Sequence, residues 1–238
     1  MISFVSSGPG AADLLTLRAT RLLGQAQVIL HDDLSSGPVL EHAAKDALLI
    51  PVGKRAGRPS ARQEDVNALL VGHGHRFARV VRLKSGDCTL FGRLEEEIAA
   101  VTAAGLDFEV VPGVTAATAA AAAARMPLSR RLTARRVQFV TGADTGGTLP
   151  GDANWPALAD PAAVTVVYMG QRTFAALAAR LIAEGMAPDT PAMVAEAVSL
   201  GGQALARSTI AGLAERLAEG VSDQPVLILY GALAEGRP

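Results

Sequence analysis

A single cysteine, Cys88, stands among 238 residues, so the chain forms no internal disulfide and no Cys-rich zinc or iron–sulfur site. A reducing compartment fits that usage. Excess charge of either sign is also missing. The 22 Lys and Arg oppose 23 Asp and Glu, a formal net charge of −1, which leaves no basic surplus to neutralise a run of phosphates and argues against a nucleic-acid partner. No stretch reaches the ~18 apolar residues of a membrane span. The opening residues MISFVSSGPGAADLL lack the basic and continuously apolar regions of a secretory signal. A soluble, cytoplasmic chain with no membrane partner is the expectation. The nearly pure alanine run from Ala116 to Ala124 is too short to span a bilayer and follows the turn-like Pro112-Gly113, as a closely packed helix would.

What is present is apolar material and punctuation. Half of the residues are hydrophobic, enough for one large core or two small ones. Apolar periodicity predicts strands at 2–5, 27–30, 48–52, 77–83 and 107–111, separated by helices at 14–23, 39–47, 63–71 and 93–104. Such alternation implies a largely parallel sheet covered by helices on both faces. Beyond a boundary near Thr115 the texture changes. Strand-like segments at 137–141, 164–169, 192–195 and 226–230, a helix at 174–184 and a loop-rich interval from 142 to 161 predict a second α/β layer with a mixed sheet. The expected division is 1–114 and 115–238.

Several motifs have the placement or chemistry of a site. Ser7-Gly8-Pro9-Gly10 follows the first strand, where parallel sheets put ligand-binding loops. It does not match G-x-G-x-x-G, and Pro9 removes an amide that a pyrophosphate cradle would use. A tight turn is the plain alternative. Gly53-Lys54 lacks the earlier glycine and following Ser or Thr of a phosphate loop. Ser85-Gly86-Asp87 at a strand end would let backbone and carboxylate approach a polar ligand together, or form an Asx turn. Arg130, Arg131, Arg135 and Arg136 fall within seven residues, and Arg93 heads a helix whose next turn is Glu95-Glu96-Glu97. Guanidinium forks of this kind bind carboxylates or phosphates, while the glutamates also suit a helix N-terminus. His73 and His75, in a glycine-rich stretch read as a polar loop, make a weak metal case. Neither Cys88 nor any serine has an evident activating base.

Taken in order, Gly8-Pro9-Gly10 with Leu14-Leu15-Thr16-Leu17, Asp32, Val52-Gly53-Lys54-Arg55-Ala56-Gly57, Gln63-Glu64, Val81-Arg82-Leu83-Lys84-Ser85-Gly86-Asp87, Phe91-Gly92-Arg93, Val111-Pro112-Gly113-Val114-Thr115-Ala116, Phe139-Val140-Thr141-Gly142 and Tyr168-Met169-Gly170 resemble the tetrapyrrole methylase family over nearly the whole chain. The resemblance implies two α/β domains with S-adenosylmethionine (SAM) in the cleft between them, and a homodimer. It implies cofactor contacts at Pro9, Ser85, Gly86, Asp87, Leu90, Thr115, Ala116, Met169, Val198 and Leu227. Asp32 and Lys54 match the family's proton acceptor and donor, and Arg93, Glu96 and Arg131 match positions associated with the tetrapyrrole. Arg130, in the same cluster, joins them as a substrate-binding candidate.

The implied reaction is C-methylation of uroporphyrinogen III at C2 and C7 to precorrin-2 through precorrin-1, leaving S-adenosylhomocysteine and requiring no metal. The product would feed siroheme or cobalamin synthesis. Some motifs depart from the family pattern. Gly-Gly-Asp-Pro becomes Ser85-Gly86-Asp87-Cys88, Gly-Gly becomes Leu94-Glu95, Thr-His-Arg becomes Ser129-Arg130-Arg131, and Glu-Asn-Gly-Thr becomes Glu196-Ala197-Val198-Ser199. These bear on the substrate more than on the cofactor. A later precorrin is therefore the alternative substrate, and a non-catalytic SAM or tetrapyrrole binder and a nucleotide-dependent oxidoreductase are the rivals from other classes.

Overall fold

The computed structural model describes residues 1–33, 37–53, 62–144 and 146–234, and the chain divides into two compact units, Met1–Ala116 and Ala117–Pro238. In the first, β1 (Ile2–Ser6), β2 (Val28–His31), β3 (Leu48–Pro51), β4 (Val80–Lys84) and β5 (Phe108–Val111) form a sheet of order β3-β2-β4-β1-β5. Every pairing in it is parallel, as the strand–helix alternation predicts. Side chains alternate between faces, so each strand feeds two cores. Ile2, Phe4, Val28, Leu30 and Val80 pack under α2 (Gln63–Arg76) and α3 (Leu94–Ala103), with Val66, Leu70 and Val101 from the helices. Val5, Ile29, Val81 and Leu83 pack on the other face against Ala19 and Leu23 of α1 (Leu17–Leu23). Thr16 caps α1, its hydroxyl accepting from the Ala19 amide at 3.1 Å.

Two expectations give way here. The segment read as a helix over 39–47 is instead a tighter 3₁₀ turn at Gly37–His42. His73 and His75 lie in the last turn of α2 and not in a loop. The glycine between them is a packing device: a Cβ on Gly74 would come within 2.6 Å of Leu106 and 2.9 Å of Ile2. The helix continues through a residue of poor helix propensity because any Cβ here would force the Leu106 and Ile2 side chains to shift.

The second unit holds α4 (Ala116–Ala123, from its second residue on) and a sheet of order β6-β7-β10-β8-β9. Its strands are β6 (Arg136–Thr141), β7 (Ala163–Tyr168), β8 (Pro191–Glu196), β9 (Ala204–Thr209) and β10 (Val226–Gly231). Only β6 and β7 run parallel and the other pairings are antiparallel, the mixed sheet expected. A short α5 (Trp155–Leu158), capped by Asn154, interrupts the loop-rich interval. Phe174, Leu177 and Leu181 of α6 (Phe174–Ala183) join Ile210 and Leu213 of α7 (Ile210–Glu219) over Val167, Val194, Ile228 and Tyr230.

Candidate functional site

Parallel strands share a carboxyl end, so the five strands of the first unit all end on one side of the sheet. The connection leaving β1 runs over to β2, whereas the one leaving β4 runs the other way to β5. Their neighbouring ends mark the point where a crevice opens in such sheets. Ser7-Gly8-Pro9-Gly10 and Ser85-Gly86-Asp87 occupy it. Gly8 and Gly86 exchange two backbone hydrogen bonds, 3.1 Å and 2.9 Å, and both adopt positive φ, 72° and 65°, a conformation that favours glycine. The position a Cβ would take on Gly86 faces open space.

Asp87 is heavily engaged within the protein. Its Oδ1 accepts from the Thr89 amide at 2.8 Å and the Thr89 hydroxyl, and its Oδ2 from the Gly113 amide at 3.0 Å. It forms the Asx turn and also ties the β4 loop to the β5 loop. Leu90 closes that turn, its amide donating to the Asp87 carbonyl. Cys88 is buried beneath, its amide bonded to Ser6 Oγ, and burial pushes its thiol pKa up.

Asp32 follows β2, whose register sets His31 opposite Leu83. Its carboxylate is 2.6 Å from Arg82 Nη2, with 29% of the Asp32 side chain exposed and 5% of the arginine. Arg82 and Lys84 project from the same face of β4 as Val80 and enter the layer beneath α3. There the fully buried Glu97 receives Arg82 Nε at 3.1 Å and Lys84 Nζ at 2.9 Å on one oxygen. Burial first, then the Arg82 guanidinium, depress the Lys84 pKa, and Glu97 opposes both. This buried group of charges escaped motif reasoning. Two signals for it exist: cations at alternate positions of an apolar strand, and a glutamate four residues before Val101 on the apolar stripe of a helix.

Lys54 lies outside the described residues. Arg93 caps α3 at φ 53° and grips Glu96 with two of its nitrogens, Nε at 2.7 Å and Nη2 at 2.8 Å. The hydrogen bond holds the Glu96 carboxyl below, and the guanidinium above, their ordinary pKa values.

In the second unit the carboxyl ends of β6, β7 and β8 and the start of β10 share an edge, since Leu227 pairs with Tyr168 and Val226 with Glu196. Non-glycine residues at positive φ cluster there: Met169 at 54°, Ala197 at 47° and Ser199 at 61°. Such strain concentrates at functional sites. Met169 is 55% exposed, while Val198 and Leu227 are buried. The Ala117 amide at the start of α4, just after Thr115-Ala116, donates to the Tyr168 hydroxyl at 3.3 Å. The structure thus sets Met169, Val198 and Leu227 on one edge of this unit, and Pro9, Ser85, Gly86, Asp87, Leu90 and Asp32 on one edge of the other.

The arginine cluster is divided. Arg130 closes a small hairpin with Ala134, and its guanidinium is turned onto the carbonyls of Ala232 and Leu233. Arg135 donates to the Arg131 carbonyl and Arg136 pairs with Asp160. Only the Arg131 guanidinium, on the exposed hairpin, makes no bond among the described residues.

Residues 1–214 match the family described as Tetrapyrrole (Corrin/Porphyrin) Methylases. The uroporphyrinogen-III C-methyltransferase of Paracoccus denitrificans is 41% identical over 233 residues, 98% of this chain and 81% of that protein. The siroheme synthase of Methylococcus capsulatus is 41% identical over 230 residues, 97% of this chain but 48% of the relative. The chain therefore spans about half the length of the siroheme synthases it matches. A crystal structure of uroporphyrin-III C-methyl transferase from Thermus thermophilus with S-adenyl homocysteine superposes with a TM-score of 0.82 at 33% identity, covering 97% of this chain and 96% of that one.

Proposed function

Because the chain belongs to the tetrapyrrole methylase family, we propose that it transfers methyl groups from SAM to C2 and C7 of uroporphyrinogen III, giving precorrin-2 by way of precorrin-1 for siroheme or cobalamin synthesis. The observation that carries the reading is the pairing of a partly exposed carboxylate, Asp32, with the glycine crevice one strand away. The first supplies a proton acceptor and the second a backbone surface that an uncharged, flat group can approach.

SAM supplies an electrophilic methyl on its sulfonium. The loops fit that cofactor: open space stands over Gly86, and Met169 presents an exposed thioether on a strained turn. Pro9, Ser85, Gly86 and Leu90 are its proposed contacts in the first unit, with Thr115 and Ala116, and Met169, Val198 and Leu227 are those of the second. Asp87 acts by shaping these loops, since both of its oxygens are already engaged. No metal is invoked, and no group of three or more His, Cys, Asp or Glu suited to a metal occurs among the described residues.

A pyrrole carbon gains the methyl as a cation equivalent, so the macrocycle sheds one proton for each methyl gained. Asp32 takes that proton, and Lys54 is the proposed donor for the accompanying double-bond rearrangement. Arg131 and Arg93 bind acetate and propionate side chains through their planar forks. Glu96 holds Arg93 extended until a substrate carboxylate replaces it. Arg130 serves chiefly as a tie to the carbonyls of Ala232 and Leu233. A cytoplasmic homodimer is the setting we propose, and no described helix is long and apolar enough to cross a membrane.

The test is mass spectrometry of uroporphyrinogen III incubated anaerobically with SAM and the full chain. A gain of two methyl groups is expected, with one equivalent of S-adenosylhomocysteine per methyl. No gain with uroporphyrinogen III, alongside methylation of a later precorrin, would move the substrate assignment. No binding of SAM by calorimetry in EDTA would end the reading altogether.

A further inference from the structure

Helix α3 puts three consecutive glutamates in its first turn, and they meet different surroundings. Glu95 and Glu96 are exposed, whereas Glu97 has no solvent exposure. A carboxylate in that position is tolerated only where other charges and donors replace water. Its Oε1 receives three of them: Arg82 at 3.1 Å, Lys84 at 2.9 Å and Gln63 at 3.3 Å. Its Oε2 meets no partner among the described residues. With Asp32 on the far side of Arg82, the group contains two cations and two anions. Of the four side chains only Asp32 reaches solvent appreciably, at 29% against 5%, 3% and 0%.

A layer that served stability alone would be as well filled by apolar side chains, because burying paired charges yields little net stabilisation. The geometry has instead one exit, at Asp32. Arg82 has no freedom to leave it: Nε is fixed by Glu97, Nη1 by the Leu83 carbonyl at 2.9 Å and Nη2 by Asp32. The same turn of α3 begins with Arg93. Gly92 lets that turn lie over the lysine, since a Cβ there would come within 2.8 Å of the Cys88 carbonyl and 3.3 Å of Lys84 Cε.

We propose that Glu97 is a positioning residue for the methylation: it holds the Arg82 guanidinium against Asp32 and, through the first turn of α3, keeps Arg93 in fixed relation to that same carboxylate. The inference rests on the roles given to Asp32 and Arg93 under Proposed function. It makes the site for the proton and the site for the substrate carboxylate parts of one rigid assembly. Small displacements of a reacting group commonly cost about 10²-fold in rate.

Steady-state kinetics with uroporphyrinogen III and SAM test it on the wild type, Glu97→Gln, Asp32→Asn and the double variant. Glu97→Gln keeps the shape and an acceptor oxygen but loses the charge that binds Arg82. It is expected to lower kcat by ~10–100-fold, with SAM affinity by calorimetry preserved. In the Asp32→Asn background it should lower kcat by much less than in the wild type, because the part that acts through that carboxylate is already lost and only its hold on Arg93, read as a rise in KM for uroporphyrinogen III, is left. Should Glu97→Gln fail to fold, Arg82→Lys takes its place. A lysine cannot span Asp32 and Glu97 together, and the same loss and the same non-additivity are expected. Wild-type kcat in a Glu97→Gln protein of lowered melting temperature, or full multiplication of the two losses, overturns the inference. A wild-type chain that methylates nothing overturns the proposed function, and this inference with it.

Discussion

Between β4 and α3 the first unit buries Arg82, Lys84 and Glu97, while the buried polar side chains of the second unit, among the described residues, are Thr165, Thr173 and Thr190 with the Tyr230 hydroxyl. All three lysines of the chain fall within its first 84 residues. Left-handed non-glycine backbone occurs in both units, at Phe91 and Arg93 ahead of α3 in the first and, in the second, at Met169, Ala197 and Ser199 gathered along one edge of the sheet. The first unit therefore carries buried charge in fixed places, whereas the second, with no buried charged side chain among the described residues, offers a strained edge of backbone. The reaction proposed for the chain, which moves a proton on a polycarboxylate and takes a methyl from a ligand of small net charge, would use both.

The contrast is broken most directly by removing a buried charge. Glu97→Ala leaves Arg82 and Lys84 without their shared anion, and roughly 3–5 kcal/mol of stability should be lost. Thr173→Val in the second unit removes a 2.6 Å bond to the Gly142 carbonyl and should cost about 1 kcal/mol. Urea unfolding of both variants compares them, and equal losses would erase the distinction.

Lys84→Met sharpens it through pH. The folded lysine has a pKa below its ordinary 10.5, so the unfolded chain binds more protons in the window between the two values. The stability of the wild type should therefore rise with pH across that window and level off above 10.5, and Lys84→Met should lack this rise. Unfolding free energies at a series of alkaline pH values, wild type minus variant, give the slope directly. A flat difference would show that Lys84 is not held against its preference.

Met169→Gly probes the backbone side of the comparison. Releasing a left-handed residue recovers ~1–2 kcal/mol, and the looser unfolded chain returns roughly 0.5–1 kcal/mol of it. A slight gain in stability is expected, with weaker SAM binding by calorimetry, and a loss of stability would contradict the strain reading. The smallest effect belongs to Glu96→Gln. Its exposed pair with Arg93 contributes little to folding, and the unfolding midpoint should not move. A drop matching that of Glu97→Ala would make exposed and buried charges equivalent here.

Much of this was legible in the residues because strand–helix alternation and strand-end glycines have local causes. The parallel first sheet, the mixed second one and the loops at Gly8 and Gly86 all follow from short-range pattern. What escaped depends on distant partners. Strand β9 reads Ala-Leu-Ala-Arg-Ser-Thr and is a half-exposed edge strand, so it carries no apolar run. Helix α7 did carry a signal, Ile210, Leu213 and Leu217 at helical spacing with Thr209 as its cap. Gly72 and Gly74 suggested a loop because glycine is a poor helix former, while the reason for Gly74 lies across the fold on Ile2 and Leu106. Within the site, Arg82 appeared only as part of a motif. That its two ends join Asp32 to a buried glutamate requires knowing which face of β4 meets α3.

The paired hydrogen bonds between Gly8 and Gly86 bear finally on the entropy of capture. Two free glycine loops would each have to be frozen by an incoming molecule, and the loss would subtract from affinity. Here each loop has already been stilled by the other during folding. The preorganised lip can then bind a small, weakly charged ligand with few contacts, because little disorder is left to remove.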